Sequence, residues 1–208
     1  MLIRHRGQAP VVDPSAFVAP NATLVGDVRI GPRARVLYGA VLDAEGASID
    51  VAADCVISEH AVLRATAVGE TPHPVLLGDH VFVGPHATLL GCAVARCCYL
   101  ASGATVLQGA RLGAGAVVAV GALAHAGALL PPEMFVPPMT VAIGDPAEIF
   151  TPDKPADLAN AIKGVNFAQA AFGVSQDWED RVARYERIAD VRVAEYAAHL
   201  DDEIIREL

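Results

Sequence analysis

The chain has 208 residues, of which 53% are hydrophobic and only 5% aromatic, and its formal net charge is −9 at pH 7. This length suggests one main domain, and the acidic balance argues against a nucleic-acid partner, which needs clustered Lys and Arg. No apolar run approaches the roughly 20 residues of a membrane span, and the first residues lack the apolar core of a signal peptide, so we expect a cytoplasmic protein without a membrane partner. The four cysteines form no CxxC pair and are predicted to be reduced thiols; they are Cys55, Cys92, Cys97 and Cys98.

A period of six runs through most of the chain. Apolar, mostly branched residues recur at this spacing over residues 12–42, 49–61 and 77–130, with a break at 67–76 and one residue dropped near 90. Four positions later the residue is usually small, as at Ala16, Ala22, Ala104 and Ala110. A period of six fits neither the 3.6 of a helix nor the two of an isolated strand. The two registers together predict an all-β left-handed parallel β-helix, a triangular prism with three short strands per turn.

The character of the sequence changes towards the C-terminus. The segment "LLPPEMFVPPMTVAIGDPAEIF" contains prolines that are expected to stop the coil and carry an extended strand back along the prism. Helical patterns follow from about Pro155, and a second helix is predicted to begin near Ser175 or Asp177, either of which can cap it. Its apolar stripe predicts packing on the prism or on a neighbouring subunit. We therefore expect a β-helix domain over residues 1–150 and a C-terminal helical extension over 151–208.

The central block resembles a known family. The stretch "HPVLLGDHVFVGPHATLLGC" resembles the γ-class carbonic anhydrases of the hexapeptide-repeat superfamily, which have Ile-Gly-Asp/Glu, Val-Gly-His and His-Gly-Cys in this order. Upstream, "AVLDAEGASIDVAADCVISEHAVLRAT" is similar to the family's Val-x-Arg-Gly-Asp and Ile-Gln-Asp-Gly-x-x-x-His, and "GDPAEIF" resembles the superfamily's Gly-Asn/Ser-Pro-Ala tail. The resemblance covers about residues 10–150. It implies a homotrimer in which three histidines from neighbouring subunits bind a zinc ion whose hydroxide attacks CO₂.

The resemblance also assigns the zinc ligands to positions in this chain. The first ligand falls on Arg64, the second on Pro85 and the third on Leu90. A fixed cation, a side chain without a donor atom and an aliphatic side chain cannot hold zinc. We therefore expect no metal at these positions, no cofactor and no carbonic anhydrase activity.

Other positions of the family's site are altered as well. The family's Arg and Asp, which make an ion pair beside the metal, fall on Asp43 and Glu45, and its Gln falls on Ser58. Glu59 keeps the family's carboxylate, either as a tolerated residue at an open corner or as a general acid or base at the subunit interface. Arg64 is expected to form an interfacial salt bridge to one of these three carboxylates, or to bind a carboxylate substrate.

The histidines leave alternatives open. An active zinc enzyme with displaced ligands would need His60, His73, His80 or His86, but adjacent residues of a strand point to opposite faces, so a shift by one position moves the donor off the site. His86 is either a structural histidine or a general base, and His73 either borders the mouth of the cleft or is a polar loop residue. The candidate residues of the inter-subunit cleft are Asp43, Glu45, Ser58, Glu59, His60, Arg64, His73 and His86.

Two functional hypotheses follow. The first is a γ-carbonic-anhydrase-like homotrimer whose cleft is either structural or used for metal-free chemistry on a small acid or thioester. The second is a CoA-dependent acyltransferase or thioesterase of the same superfamily, which rests on analogy of fold and tail motif. In such acyltransferases a histidine of the coils deprotonates the acceptor while CoA lies between subunits. His125 is the corresponding candidate, although we expect it to be a surface residue.

Overall fold

Each six-residue repeat forms one short strand followed by a tight corner. The computed structural model describes residues 1–68, 71–174 and 181–206, and the predicted helix start near Ser175 or Asp177 lies outside these ranges. The strands of the first half are β1 (Leu2–Arg4), β2 (Val11–Val12), β3 (Phe17–Val18), β4 (Thr23–Val25), β5 (Val28–Ile30), β6 (Arg35–Val36), β7 (Val41–Asp43), β8 (Ile49–Val51), β9 (Val56–Ile57), β10 (Val62–Arg64), β11 (Val75–Leu77), β12 (Phe82–Val83) and β13 (Thr88–Leu90). Those of the second half are β14 (Ala93–Val94), β15 (Tyr99–Leu100), β16 (Thr105–Val106), β17 (Arg111–Leu112), β18 (Val117–Val118), β19 (Leu123–Ala124), β20 (Leu129–Leu130), β21 (Phe135–Val136), β22 (Val141–Ile143), β23 (Glu148–Phe150) and β24 (Glu203–Arg206).

Strands three apart along the chain are hydrogen-bonded neighbours, so each turn contributes one strand to each of three sheets. Sheet 1 has ten strands in the order β23-β22-β19-β16-β13-β10-β7-β4-β1-β24. Sheet 2 has seven, β2-β5-β8-β11-β14-β17-β20, and sheet 3 has seven, β3-β6-β9-β12-β15-β18-β21. The predicted left-handed parallel β-helix with C-terminal helices is confirmed.

The interior of the prism is a stack of apolar layers. In sheet 1, Leu24, Leu42, Leu63 and Leu89 are register partners on successive turns, and all four are fully buried. The second register of small residues lies at the corners, where Ala22, Ala104 and Ala110 are also fully buried. Gly84 shows why some corners need glycine, because an added Cβ would lie 2.8 Å from the backbone carbonyl oxygen of Leu100 on the next turn.

The C-terminal segment runs back along sheet 1. After β22 the chain reverses, and β23 pairs antiparallel with it. In the described part of this segment α1 (Pro155–Gly164), α2 (Phe167–Phe172) and α3 (Arg181–Tyr196) follow, then a 3-10 helix (Ala197–Asp201). The final strand β24 pairs antiparallel with β1 at the opposite end of the prism. The helical segment thus packs on its own chain, and among the described residues none of the helices has the length and apolarity needed to cross a membrane.

Candidate functional site

The residues predicted to line one cleft lie at two ends of the strands of sheet 1. Ser58, Glu59 and His60 precede β10, at the corner between sheets 3 and 1, and His86 occupies the equivalent corner before β13. Asp43, Glu45 and Arg64 lie at or just after the far ends of β7 and β10. Three strand residues separate the two groups, a span of about 10 Å. Within one chain they form two sites rather than one.

The first corner carries a pair of exposed histidines. The rings of His60 and His86 stack on successive turns with centroids 5.3 Å apart. Both residues have φ of +57°, the left-handed conformation of the tight corner. Glu59 and Pro85 are half-buried beside them, whereas Ser58 is buried.

The far end of the strands holds a network built around Arg64. The Arg64 guanidinium lies 3.1 Å from Asp43 Oδ2 and donates to the Tyr196 hydroxyl at 2.9 Å. It also stands 5.2 Å from the centroid of the Tyr196 ring, at cation–π distance. Asp43 is only 3% exposed, and its other oxygen accepts a hydrogen bond from the Glu45 backbone. The carboxylate partner of Arg64 is therefore Asp43 of the same chain.

Next to this network lie four residues that we call the two-histidine cluster: His5, Glu45, His199 and Asp202. Asp202 accepts hydrogen bonds from Nδ1 of His5 at 2.6 Å and of His199 at 2.9 Å. Glu45 faces the other side of the rings, 3.6 Å from Nε2 of His5 and 3.3 Å from Nε2 of His199. The rings stack with centroids 4.3 Å apart.

The cluster also shifts the pKa of His199 and of Asp202. Burial opposes the charge on His199, but the hydrogen bond to Asp202 and the carboxylates of Asp43 and Glu45 outweigh it and raise the pKa of His199. Burial likewise opposes ionisation of Asp202, and its bonds to the two histidines nonetheless lower the pKa of that carboxyl. The sequence analysis identified Glu45 but missed its partners, since His5 and His199 lie near opposite ends of the chain and no local spacing connects them.

His73 stands apart from both groups. Its backbone pairs with Thr66 in an isolated antiparallel bridge. The ring lies at the corner of a later turn, where an added Cβ on Gly109 would lie 3.6 Å from the His73 Cε1. His80 lies at another corner, 3.9 Å from Asp54.

His125 corrects an expectation from the sequence. We expected a surface residue, but it is 6% exposed because the C-terminal helices cover its turn. It lines an apolar cavity of about 400 Å³ together with Phe167, Phe172, Tyr185 and others. Burial lowers the pKa of His125, and its Nδ1 has no hydrogen-bond partner in the described part of the chain. The helices that bury it are remote in sequence, so the hexapeptide pattern around His125 does not indicate its burial.

Curated relatives match about half of this chain. "Gamma carbonic anhydrase 1, mitochondrial" from Arabidopsis thaliana is 36% identical over an alignment 115 residues long that covers 51% of this chain and 42% of the relative. "Gamma carbonic anhydrase 3, mitochondrial" from the same plant is 38% identical over an alignment 112 residues long that covers 50% of this chain and 43% of the relative. Over about half of its length this chain is similar to γ-carbonic anhydrases, and its fold is the hexapeptide-repeat β-helix.

The predicted resemblance is thereby confirmed, although the γ-carbonic-anhydrase-like chain spans less than half the length of these relatives. No family model matches it. Among solved structures, a putative acetyltransferase from Bacillus cereus covers 95% of this chain and 96% of its own, with 20% identity and a TM-score of 0.47.

Proposed function

We propose that this γ-carbonic-anhydrase-like protein is a homotrimer without carbonic anhydrase activity. The position of the family's first zinc ligand on sheet 1 then serves to bind the chain's own C-terminal helix instead of a metal ion. One observation carries the proposal: Arg64, at the family's first ligand position, is held by Asp43 and Tyr196 of its own chain. A guanidinium stays protonated and offers no lone pair to a metal. Because Tyr196 ends α3, the chain's own helix covers this position.

The other two ligand positions support the same proposal. Leu90 is the register partner of Arg64 on the adjacent strand β13. Pro85 lies at the corner where the strands of sheet 1 begin, apart from the other two. Neither side chain has a donor atom, so the residues present do not fit the family's zinc ion, and no step of CO₂ hydration is assigned to them.

The outer face of sheet 3 supports a trimer. It presents a column of half-buried or exposed apolar side chains that are register partners on successive turns, namely Val56, Phe82, Tyr99, Val117 and Phe135. The rings of Phe82 and Tyr99 stack with centroids 5.0 Å apart. A continuous exposed apolar strip of this kind is typical of a protein–protein interface.

The other two faces of the prism are covered by helices or carry charged side chains. Helices of the same chain lie along sheet 1, and sheet 2 carries the surface ion pairs Arg29–Asp50 and Arg111–Asp145. Sheet 3 is therefore the face that we assign to the contact with further copies of this chain. A cytoplasmic location and the use of the cleft on a small acid or thioester stay predictions from the sequence.

Two measurements test this proposal. Stopped-flow CO₂ hydration by the full chain, with and without added Zn²⁺, is expected to stay at the uncatalysed rate; a metal-dependent rate far above background would contradict the proposal. Light scattering is expected to give three times the chain mass of 21.6 kDa. The double variant Tyr99→Glu, Phe135→Glu should give a monomer, and Leu76→Glu, at an exposed apolar site on sheet 2, should leave the trimer intact.

A second candidate function is acyl transfer or thioester hydrolysis, which the cavity at His125 favours. Its volume of about 400 Å³ lies within the range of small-molecule pockets, about 300–1,000 Å³, and leaves room for an acyl group beside a buried, neutral imidazole. The cavity is lined by helices of the same chain, however, whereas the resemblance implies CoA between subunits. A thermal-shift titration with acetyl-CoA tests this second function. It requires a rise in melting temperature that is lost in His125→Gln, and no rise would contradict it.

A further inference from the structure

We propose that His5, Glu45 and His199 form a divalent transition-metal site that fastens both ends of the chain to the prism. Their ligand atoms, one from each residue, all lie within 4.8 Å of one another. The three residues come from the turn after β1, the corner after β7 and the 3-10 helix before β24. One ion bound to all three would join segments that are far apart in sequence.

The orientation of the two rings supports metal binding. An ionised carboxylate can only accept, so each Nδ1–H donates to Asp202, and each Nε2 faces Glu45, where a metal ion that displaces its proton would meet the lone pair. Metal-ligating histidines almost always donate their second ring N–H to such an outer carboxylate, which fixes the tautomer and raises ligand basicity. Asp202 serves both rings at once.

The burial of Glu45 supplies an independent observation. Its side chain is fully buried, and Oε1 accepts no hydrogen bond from the described residues. A buried carboxylate without a full set of partners is costly unless a cation lies beside it. Asp43 Oδ2 lies 3.9 Å from Nε2 of His199, but Arg64 already pairs with that oxygen. Glu45 Oε1 is thus the buried oxygen without a donor at the point where the two Nε2 atoms converge.

Arg6 stands in for that cation. Its Nε donates to Nε2 of His5 at 3.2 Å, and its NH2 group lies 3.5 Å from Oε2 of Glu45. The side chain of Arg6 is 42% exposed, so it can swing into solvent. A metal ion would take its place between His5 and Glu45.

The donor set indicates the class of metal. Two imidazoles and one carboxylate favour Zn²⁺ and similar first-row ions, whereas Mg²⁺ and Ca²⁺ prefer oxygen ligands. None of the three residues is at a position onto which the resemblance places a family ligand. The site is therefore separate from the proposed function: zinc can bind here while CO₂ hydration stays at background, and either result can fail alone.

The test titrates metal-free, full-length, untagged protein with Zn²⁺ by calorimetry and with Co²⁺ by visible absorption. We expect one ion per chain, a cobalt spectrum of nitrogen and oxygen ligands, and a melting temperature raised by about 5–10 °C at a hundredfold excess over Kd. A chelator should reverse the shift, and Mg²⁺ should not cause it. No saturable zinc binding, or a thiolate cobalt spectrum, would overturn the proposal.

Variants locate the ion. The nearly isosteric Glu45→Gln and the truncation His199→Ala should each weaken zinc binding by about 100-fold or more, since loss of an outer partner alone costs about 10–100-fold, the loss expected for Asp202→Asn. Arg6→Ala removes the competing cation at an exposed position and should tighten binding. The matched control is His60→Ala with His86→Ala, which deletes the other stacked histidine pair and should leave affinity within about twofold. Binding that survives Glu45→Gln, or that disappears in the control, excludes the site.

Discussion

The interior of the prism and the polar region at its N-terminal end are both buried, but different forces hold them. In the interior every turn repeats the last, and Leu42, Leu63 and Leu89 stack without a polar atom among them. At the N-terminal end Asp43 and Glu45 break the pattern and are buried with charges that need partners. The repeated layers make the fold, and the interruption gathers the groups that can do chemistry. The two regions should therefore respond differently to substitution.

The largest effect is expected in the interior. Leu63→Ala leaves a cavity in a layer that cannot collapse, because strands above and below hold it, and should lower the free energy of unfolding by about 2–5 kcal/mol. Guanidinium unfolding followed by circular dichroism measures the loss. Leu76→Ala, on the exposed face of sheet 2, should stay within about 0.5 kcal/mol; equal losses would mean that the prism interior is not the main source of stability.

The next effect is expected at the polar end. Arg64→Met removes the cation that faces Asp43 and leaves a buried carboxylate without its guanidinium partner, which should cost about 1–3 kcal/mol in the same unfolding assay. Arg29→Met breaks the exposed pair with Asp50 and should cost less than about 1 kcal/mol. If the two variants lose the same amount, burial of Asp43 does not govern the strength of the contact.

A smaller effect tests the attachment of the C-terminal segment. Tyr196→Phe removes the hydroxyl that accepts from Arg64 but keeps the ring beneath the guanidinium, so the cost should be about 0.5–1.5 kcal/mol. Hydrogen exchange of the β24 amides should speed up while the amides of the central turns keep their rates. Tyr185→Phe, at an exposed position of the same helix, is the control and should change neither.

The smallest effect is a pH dependence at His125. Burial lowers its pKa in the folded state, so the unfolded chain, with a pKa of about 6.5, binds this proton first as the pH falls. The stability tied to the neutral ring is complete above that value and declines as the pH falls towards the folded pKa. Between pH 7.5 and 5.5 the wild type should lose more unfolding free energy than His125→Gln, whereas the exposed His60→Gln should follow the wild type.

The sequence predicts the repeated apolar interior of the prism but little of its polar end. The two registers place Leu24 inside and Ala22 at a corner without further information, because every turn obeys the same period. The polar end depends on where the C-terminus returns. Nothing near His5 indicates that β24 pairs with β1, so Glu45 was identified only as an altered family position. The prediction that His125 is a surface residue was wrong for the same reason, since helices far along the chain bury it.

Both ends of sheet 1 finish with a strand that runs against the others, β23 at one end and β24 at the other. A parallel coil left open at its end offers the next molecule the same ladder of hydrogen bonds that joins its own turns, and identical coils could then add into a fibre. A reversed strand presents a different pattern and disfavours that growth at the edge of sheet 1, whereas sheets 2 and 3 end in parallel strands. The return of the chain to β1 therefore protects one edge of sheet 1, and a protein shortened before Glu203 should associate end to end more readily, which light scattering would detect.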